Sequence, residues 1–152
     1  GSYSQDDWIC FYDGAKKHPH ILFVISAGND GFDIDSNPVF PASLDLENMV
    51  VVTSSDQFGR LPPQSNYGRG SVDLMVPAEK VDVFDHRGVY TTAGGSSYAA
   101  PRVAALAARY LKKNVGASTA DIIDFLKSRA INSQSEPVRF GWIPDPSDNF
   151  KF

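Results

Sequence analysis

The feature that most constrains this chain is a continuous apolar run, Ile21-Leu22-Phe23-Val24-Ile25, closed by the turn-forming stretch Ser26-Ala27-Gly28-Asn29-Asp30-Gly31. A strand with one face in water alternates apolar and polar residues, so an unbroken run ending in a turn predicts a strand buried on both faces. Residues 49–53 and 72–76 repeat the pattern. Helical spacing surrounds these runs. Trp8, Phe11, Tyr12 and Ala15 fall on one face of residues 4–18, with Ser4 and Asp7 suited to capping and Pro19 to stopping the helix. Val103, Leu106, Ala107, Tyr110 and Leu111 mark a longer helix with one buried stripe. The small residues Ala99, Ala100, Ala104, Ala105 and Ala108 permit close packing of that helix on a sheet. Ser118 and Asp121 are spaced as a capping box before a further helix carrying Ile122, Phe125, Leu126 and Arg129. Residues 81–84 and 89–93 flank the turn Asp85-His86-Arg87-Gly88 as a hairpin. From Asn132 the chain is polar and proline-bearing, with Phe140, Trp142 and Ile143 as anchors. Buried strands mixed with helices predict an α/β fold with a largely parallel sheet flanked by helices.

Length and charge narrow the function classes. The 152 residues fit one ordinary domain. A net charge of −4 with no dense run of like charge argues against a nucleic-acid or membrane partner. The longest apolar run is far short of a membrane span, and no basic-then-apolar signal opens the chain. Gly1-Ser2 has the look of a cloning remnant, so the missing signal carries little weight. The single cysteine, Cys10, permits no internal disulfide and is expected as a small core residue.

In parallel α/β sheets, ligands and reacting groups gather beyond the carboxyl ends of the strands. Two segments stand at such ends. In Gly94-Gly95-Ser96-Ser97-Tyr98-Ala99-Ala100-Pro101 a glycine turn delivers serine to the first turn of the long helix. The unpaired N–H groups and positive dipole end there favour developing negative charge, which suits a nucleophile at Ser97. Taken alone, the octapeptide is as compatible with Ser96 or Ser97 as an ordinary N-cap, which is the commoner role. The second segment holds Asn29, whose side-chain amide just past a strand end can donate to an oxyanion. Asn-Asp-Gly is also ordinary turn chemistry.

Together these segments resemble the subtilisin-like serine peptidases, the subtilases, in the family's order. Ala27-Gly28-Asn29 is similar to the oxyanion-hole segment, Phe40-Pro41-Ala42 to the aromatic-Pro-Ala turn after it, and Val50-Val51-Val52-Thr53 to the next core strand. Ser65-Asn66-Tyr67-Gly68, Val72-Asp73-Leu74-Met75-Val76-Pro77 and Gly95-Ser96-Ser97-Tyr98-Ala99-Ala100-Pro101 follow in turn, the last resembling Gly-Thr-Ser-Met-Ala-Ala-Pro. The resemblance implies the carboxyl-terminal half of a subtilisin-like domain across residues 1–152. It further implies Ser97 as nucleophile, Asn29 in the oxyanion hole, and Ala27, Gly28 and Phe40 lining the pocket for the substrate side chain.

The sequence departs from the family at Tyr98, where methionine is usual, at Ala78, where the Ala-Pro-Gly turn has glycine, and at Arg102, where histidine is common. Tyr98 could narrow the cleft. The family's Asp and His motifs have no counterpart in the chain. His18 and His20 precede the first strand while Asn29 follows it, so at ~3.3 Å per residue they lie about 20 Å from the site. His86, in the hairpin turn, lies at a comparable distance. A general base must reach hydrogen-bond distance of its proton, so none of the three qualifies. Subtilases often bind calcium, but Asp30, Asp33 and Asp35 lack the alternating carboxylate pattern with a terminal Glu that an EF-hand needs, so a solvated loop and no cofactor are expected, with calcium as the alternative.

The expected function is peptide-bond hydrolysis through a serine acyl-enzyme, with a polypeptide substrate. The amino-terminal half of the same domain is the expected partner, supplying Asp and His, and the cut edge of the sheet makes self-association the other expectation. Family resemblance favours a secreted or extracytoplasmic location. A catalytically inactive subtilase-fold binding or scaffold module is the alternative, motivated by Tyr98 and the missing partners. An α/β-hydrolase nucleophile elbow is set aside, because it needs glycine where Ala99 stands.

Overall fold

The computed structural model of the protein describes residues 1–132 and 137–146. The chain passes through a 3-10 turn (Gln5–Trp8), α1 (Ile9–Lys17), β1 (Phe23–Ser26), β2 (Met49–Ser55), β3 (Leu74–Pro77), β4 (Val81–Phe84), β5 (Tyr90–Ala93), α2 (Ser96–Lys113), α3 (Thr119–Arg129) and β6 (Gly141–Trp142). The four strands β1, β2, β3 and β6 lie side by side in that order, all parallel. The fold is α/β with helices on both faces of a parallel sheet, as the apolar runs predict.

β2 is buried along its whole length, and its side chains divide two cores. Met49 and Val51 face one side, where Ala15, Ile34, Val39, Val72 and Met75 pack with Trp8, Phe11 and Phe23. Val50 and Val52 face the other, against Ala99, Val103, Leu106 and Ala107 of α2 and Ile122 and Leu126 of α3. This alternation is the period of two that any strand imposes. Full burial of each valine contributes roughly 1.5–3 kcal/mol.

β1 differs from its expectation. It forms the edge of the described sheet and is half-buried throughout, rather than buried on both faces. It pairs only with β2, Phe23 opposite Met49 through Ser26 opposite Val52, so one row of its backbone groups has no partner among the described residues. α1 begins at Ile9, later than the apolar spacing predicts, because a 3-10 turn takes the preceding residues and Ser4 makes no side-chain cap. Cys10 is exposed, not a core residue, since Ala15 and the aromatics occupy the buried face. On α2 the sheet-facing residues are Ala99, Val103, Leu106 and Ala107, while Ala104, Ala105 and Ala108 point outward and are exposed. The small residues therefore do not all serve sheet packing. The β4–β5 hairpin forms as expected, with Asp85 Oδ1 accepting from Arg87 N and Val89 N across the turn. The capping box of α3 also forms: Ser118 Oγ accepts from Asp121 N, and Asp121 Oδ2 accepts from Ser118 N. Trp142 belongs to β6, a strand the sequence reading did not separate from the polar tail, and Ile143 beyond it is fully buried.

Asp73, just before β3, is a buried carboxylate. Its Oδ2 accepts from Val51 N at 2.8 Å, and its Oδ1 meets Arg139 Nη1 at 3.2 Å. Burial pushes the Asp73 carboxyl above its ordinary range, against the opposing pull of Val51 N–H, Arg139 and Lys127.

Among the described residues no helix is long and apolar enough to cross a membrane.

Candidate active site

The carboxyl ends of β1 and β3 converge on the start of α2. After β3, the Ala78 carbonyl accepts from Gly95 N at 3.1 Å, which fixes where α2 begins. Gly95 is the N-cap at φ 121, a conformation that side-chain-bearing residues rarely adopt. A Cβ there would also sit 2.8 Å from Asn29 Oδ1, so glycine lets the β1 loop touch the helix end. Arg102, about two turns further on, donates to the Pro77 carbonyl at 2.6 Å and ties α2 to the end of β3.

Asn29 reaches α2 through Ser96. Its Oδ1 accepts from Ser96 N at 2.8 Å and from Ser96 Oγ at 3.1 Å, while Ser96 Oγ accepts from Gly28 N at 3.1 Å. Because a backbone N–H can only donate, this contact assigns the asparagine oxygen to Ser96 and turns the Nδ2 amino group away from it. Asn29 is exposed, and its Nδ2 has no partner among the described residues. Ser97 is exposed on the first turn of α2, where its N–H likewise has none. Two N–H donors and one hydroxyl thus stand free at one helix amino terminus, where the dipole favours negative charge.

Beside them opens a cleft of about 430 Å³. Ser97 and Ala100 of α2, Gly28 of the β1 loop, and Phe40, Pro41 and Ala42 contribute to its lining, with Trp8 and Phe11 of the amino-terminal segment. Ser2 holds that segment in place: it exchanges two backbone hydrogen bonds with Phe40 and accepts from Trp8 Nε1. Of the expected pocket residues, Gly28 and Phe40 line the cleft with Ser97. Ala27 is fully buried and is not among the residues that line the cleft. Tyr98 packs half-buried against the second core and is not among the residues that line this cleft. Sequence reasoning missed Ser96 as the bridge to Asn29, and it missed Trp8 and Phe11 in the lining; their only signal was an aromatic pair three residues apart ahead of the strand.

His18 and His20 stack edge-to-face with each other before β1, at the opposite end of the sheet from Asn29 and Ser97. His86 lies exposed in the β4–β5 turn. The acidic loop does not gather a metal site. Asp33 Oδ1 accepts from Asp35 N, Asp35 Oδ2 from Gly70 N and Asp30 Oδ2 from Asn66 Nδ2, so each carboxylate serves loop geometry. Among the described residues no cluster of three or more His, Cys, Asp and Glu side chains is placed to hold a metal ion.

The sequence model of the subtilase family matches residues 2–142. The chain belongs to the subtilase family. Relatives of this subtilase chain include alkaline elastase YaB of Bacillus sp. (strain YaB), 33% identical over 112 residues, covering 74% of this chain and 28% of that protein. The thermophilic serine proteinase of Bacillus sp. (strain AK1) is 39% identical over 87 residues, 57% of this chain and 20% of that protein. Among solved structures, a cold-adapted subtilisin-like serine proteinase superposes with a TM-score of 0.75 at 27% identity, over 95% of this chain and 52% of that one. The subtilase cytotoxin SubAB structure gives 0.78 at 18% identity, a likeness of fold alone, over 96% and 54%. The chain spans 6% to 28% of the length of the curated relatives it matches.

Proposed function

We propose that this subtilase chain supplies the nucleophile and oxyanion hole of a serine endopeptidase domain. The observation that carries the reading is the hydrogen-bonded junction of Asn29 with Ser96, which brings a free amide to the helix end that presents Ser97 beside an open cleft. Ser97 Oγ attacks the carbonyl carbon of a bound polypeptide. Its proton passes to a histidine from outside this chain, oriented by an aspartate from the same region, because His18, His20 and His86 stand at the wrong ends of their elements. As the carbonyl oxygen takes up negative charge, Asn29 Nδ2–H and Ser97 N–H donate to it. The C–N bond then breaks, the amine leaves with the histidine's proton, and water hydrolyses the Ser97 ester. Gly28 and Phe40 line the space for the substrate side chain before the scissile bond.

The open side of β1 is where the region carrying Asp and His would add its strand. Without that region the same edge is a template for self-association. A secreted or extracytoplasmic site of action is the location that membership of the family favours. The presence of both Ser97 and Asn29 weighs against the non-catalytic alternative. The test is hydrolysis of a peptide p-nitroanilide by the full-length protein: Ser97→Ala should lower turnover by about 10³-fold or more with the fold intact. Undiminished turnover in that variant would assign the chemistry elsewhere.

A further inference from the structure

Among the described residues no hydrogen bond fixes the backbone of Asn29, yet the residues around it are clamped from one side by a single buried amide. The Asn66 side chain is fully buried and uses all of its hydrogen-bonding capacity on the loop after β1. Its Nδ2 donates to the Ala27 carbonyl at 2.9 Å and to Asp30 Oδ2 at 3.3 Å. Its Oδ1 accepts from Asp30 N at 2.9 Å and from Phe32 N at 3.0 Å. The Asn66 backbone N–H adds a bond to the Gly28 carbonyl at 3.1 Å. Residues on both sides of Asn29 are therefore held by one residue 37 positions later, and Asn29 itself is left to project toward α2.

That clamp is anchored to the sheet. Thr53 of β2, fully buried, donates its hydroxyl to the Asn66 carbonyl at 2.7 Å, and the neighbouring Ser65 and Ser54 hydroxyls bond each other. The loop approaches so closely that a Cβ on Gly28 would lie 2.5 Å from Asn66 Nδ2, and Gly28 has φ 102. Gly28 and Asn66 are thus a matched pair: glycine at one position is what lets the amide sit at the other. Losing the amide would leave the Ala27 carbonyl and the Asp30 and Phe32 N–H groups unpaired, a cost the loop can escape only by moving.

We propose that Asn66 is the positioning residue of the oxyanion hole, holding Asn29 Nδ2 at the place where the carbonyl oxygen becomes charged. The proposal rests on the reading of Asn29 as an oxyanion donor. Asn66 touches no reacting atom. It acts through the loop, and a displacement of ~1 Å at such a donor costs about 10²-fold in rate.

The experiment is a mutant cycle in the full-length protein, with kcat and KM on a peptide p-nitroanilide normalised by active-site titration so that only competent molecules count. Asn66→Asp keeps the shape and the acceptors but sets oxygen against the Ala27 carbonyl and the Asp30 carboxylate. It should lower kcat by about 10–100-fold and leave KM within about 3-fold. Thr53→Val, which loosens the anchor and leaves the Asn66 side chain in place, should lower kcat by a smaller factor and carries the same cycle should Asn66→Asp not fold. In an Asn29→Ala background either substitution should cost less than about 3-fold more, because the donor they position is gone. An unchanged kcat in Asn66→Asp and Thr53→Val, or losses that multiply in full with that of Asn29→Ala, would overturn the proposal. If Asn29→Ala alone leaves kcat unchanged, the oxyanion reading fails and the proposal falls with it.

Discussion

The side-chain oxygen of Asn29 accepts both the backbone N–H and the hydroxyl of Ser96, at 2.8 and 3.1 Å, so the loop after β1 and the start of α2 meet in one hydrogen-bonded junction. The contact fixes which end of the amide faces the helix. The donor end is then free at a helix amino terminus, next to the exposed Ser97. The chemistry proposed for this site depends on that orientation more than on any other single contact.

Removing the donor should therefore act on turnover and hardly on affinity. In the full-length protein Asn29→Ala should lower kcat by about 10²–10³-fold with KM little changed, a magnitude taken over from subtilisin's own oxyanion asparagine. Ser96→Ala leaves Asn29 one of its two tethers and deprives Gly28 N–H of its acceptor, and should cost kcat about tenfold. Steady-state kinetics checks both. A loss that appears in KM alone would return Asn29 to ordinary turn chemistry.

The β1 edge gives a prediction that alternates residue by residue. Phe23 N and Ala27 N donate toward β2, to the Asn48 and Val52 carbonyls. In a parallel ladder the intervening Val24 and Ser26 amides point to the open side. Hydrogen exchange on the isolated chain, kept dilute, should find Val24 and Ser26 fast, and in the full-length protein slow. At high concentration sedimentation should show self-association. A monomer at high concentration with those two amides already protected would mean that the edge is covered in some other way.

Asp73 sets the sign of one pH dependence. Its carboxyl is raised in the folded protein chiefly by burial, so the native state holds this proton more tightly than the unfolded chain does. The stability it contributes is complete below the unfolded carboxylate value, near 3.9, and is lost as pH rises through the folded value. Asp73→Asn removes this titration. Denaturant unfolding of variant and parent from about pH 4 to 7 should show the variant gaining stability relative to the parent as pH rises. A relative loss over the same range would mean that Arg139 and Val51 N–H outweigh burial.

Much of this structure is legible in the sequence because local chemistry and tertiary environment agree. The strands, the hairpin turn at Asp85 and the capping box of Ser118 and Asp121 follow from patterns that span only a few residues. β1 reads as fully buried because an unbroken apolar run does not tell which of its sides the chain itself covers. Cys10 and the outward alanines of α2 were misplaced because small residues carry little information about which face they take. Ser97, Asn29, Gly28 and Phe40 were nameable from motif order, and the structure gathers them at one end of the sheet. Ser96 and Asn66 were not legible as parts of a site. Their partners lie 67 and 36 residues away in sequence, and only the folded loop brings them together.

The central claim is that Ser97 is a nucleophile activated by a base from outside this chain. The most direct measurement is reaction with a fluorophosphonate serine probe, with the modified residue located by peptide mass mapping, on the full-length protein and on the chain alone. Stoichiometric modification of Ser97 is expected in the full-length protein, none in its Ser97→Ala variant, and no appreciable modification of the chain alone. Rapid labelling of Ser97 in the isolated chain, or labelling of the full-length protein that survives Ser97→Ala, would contradict it.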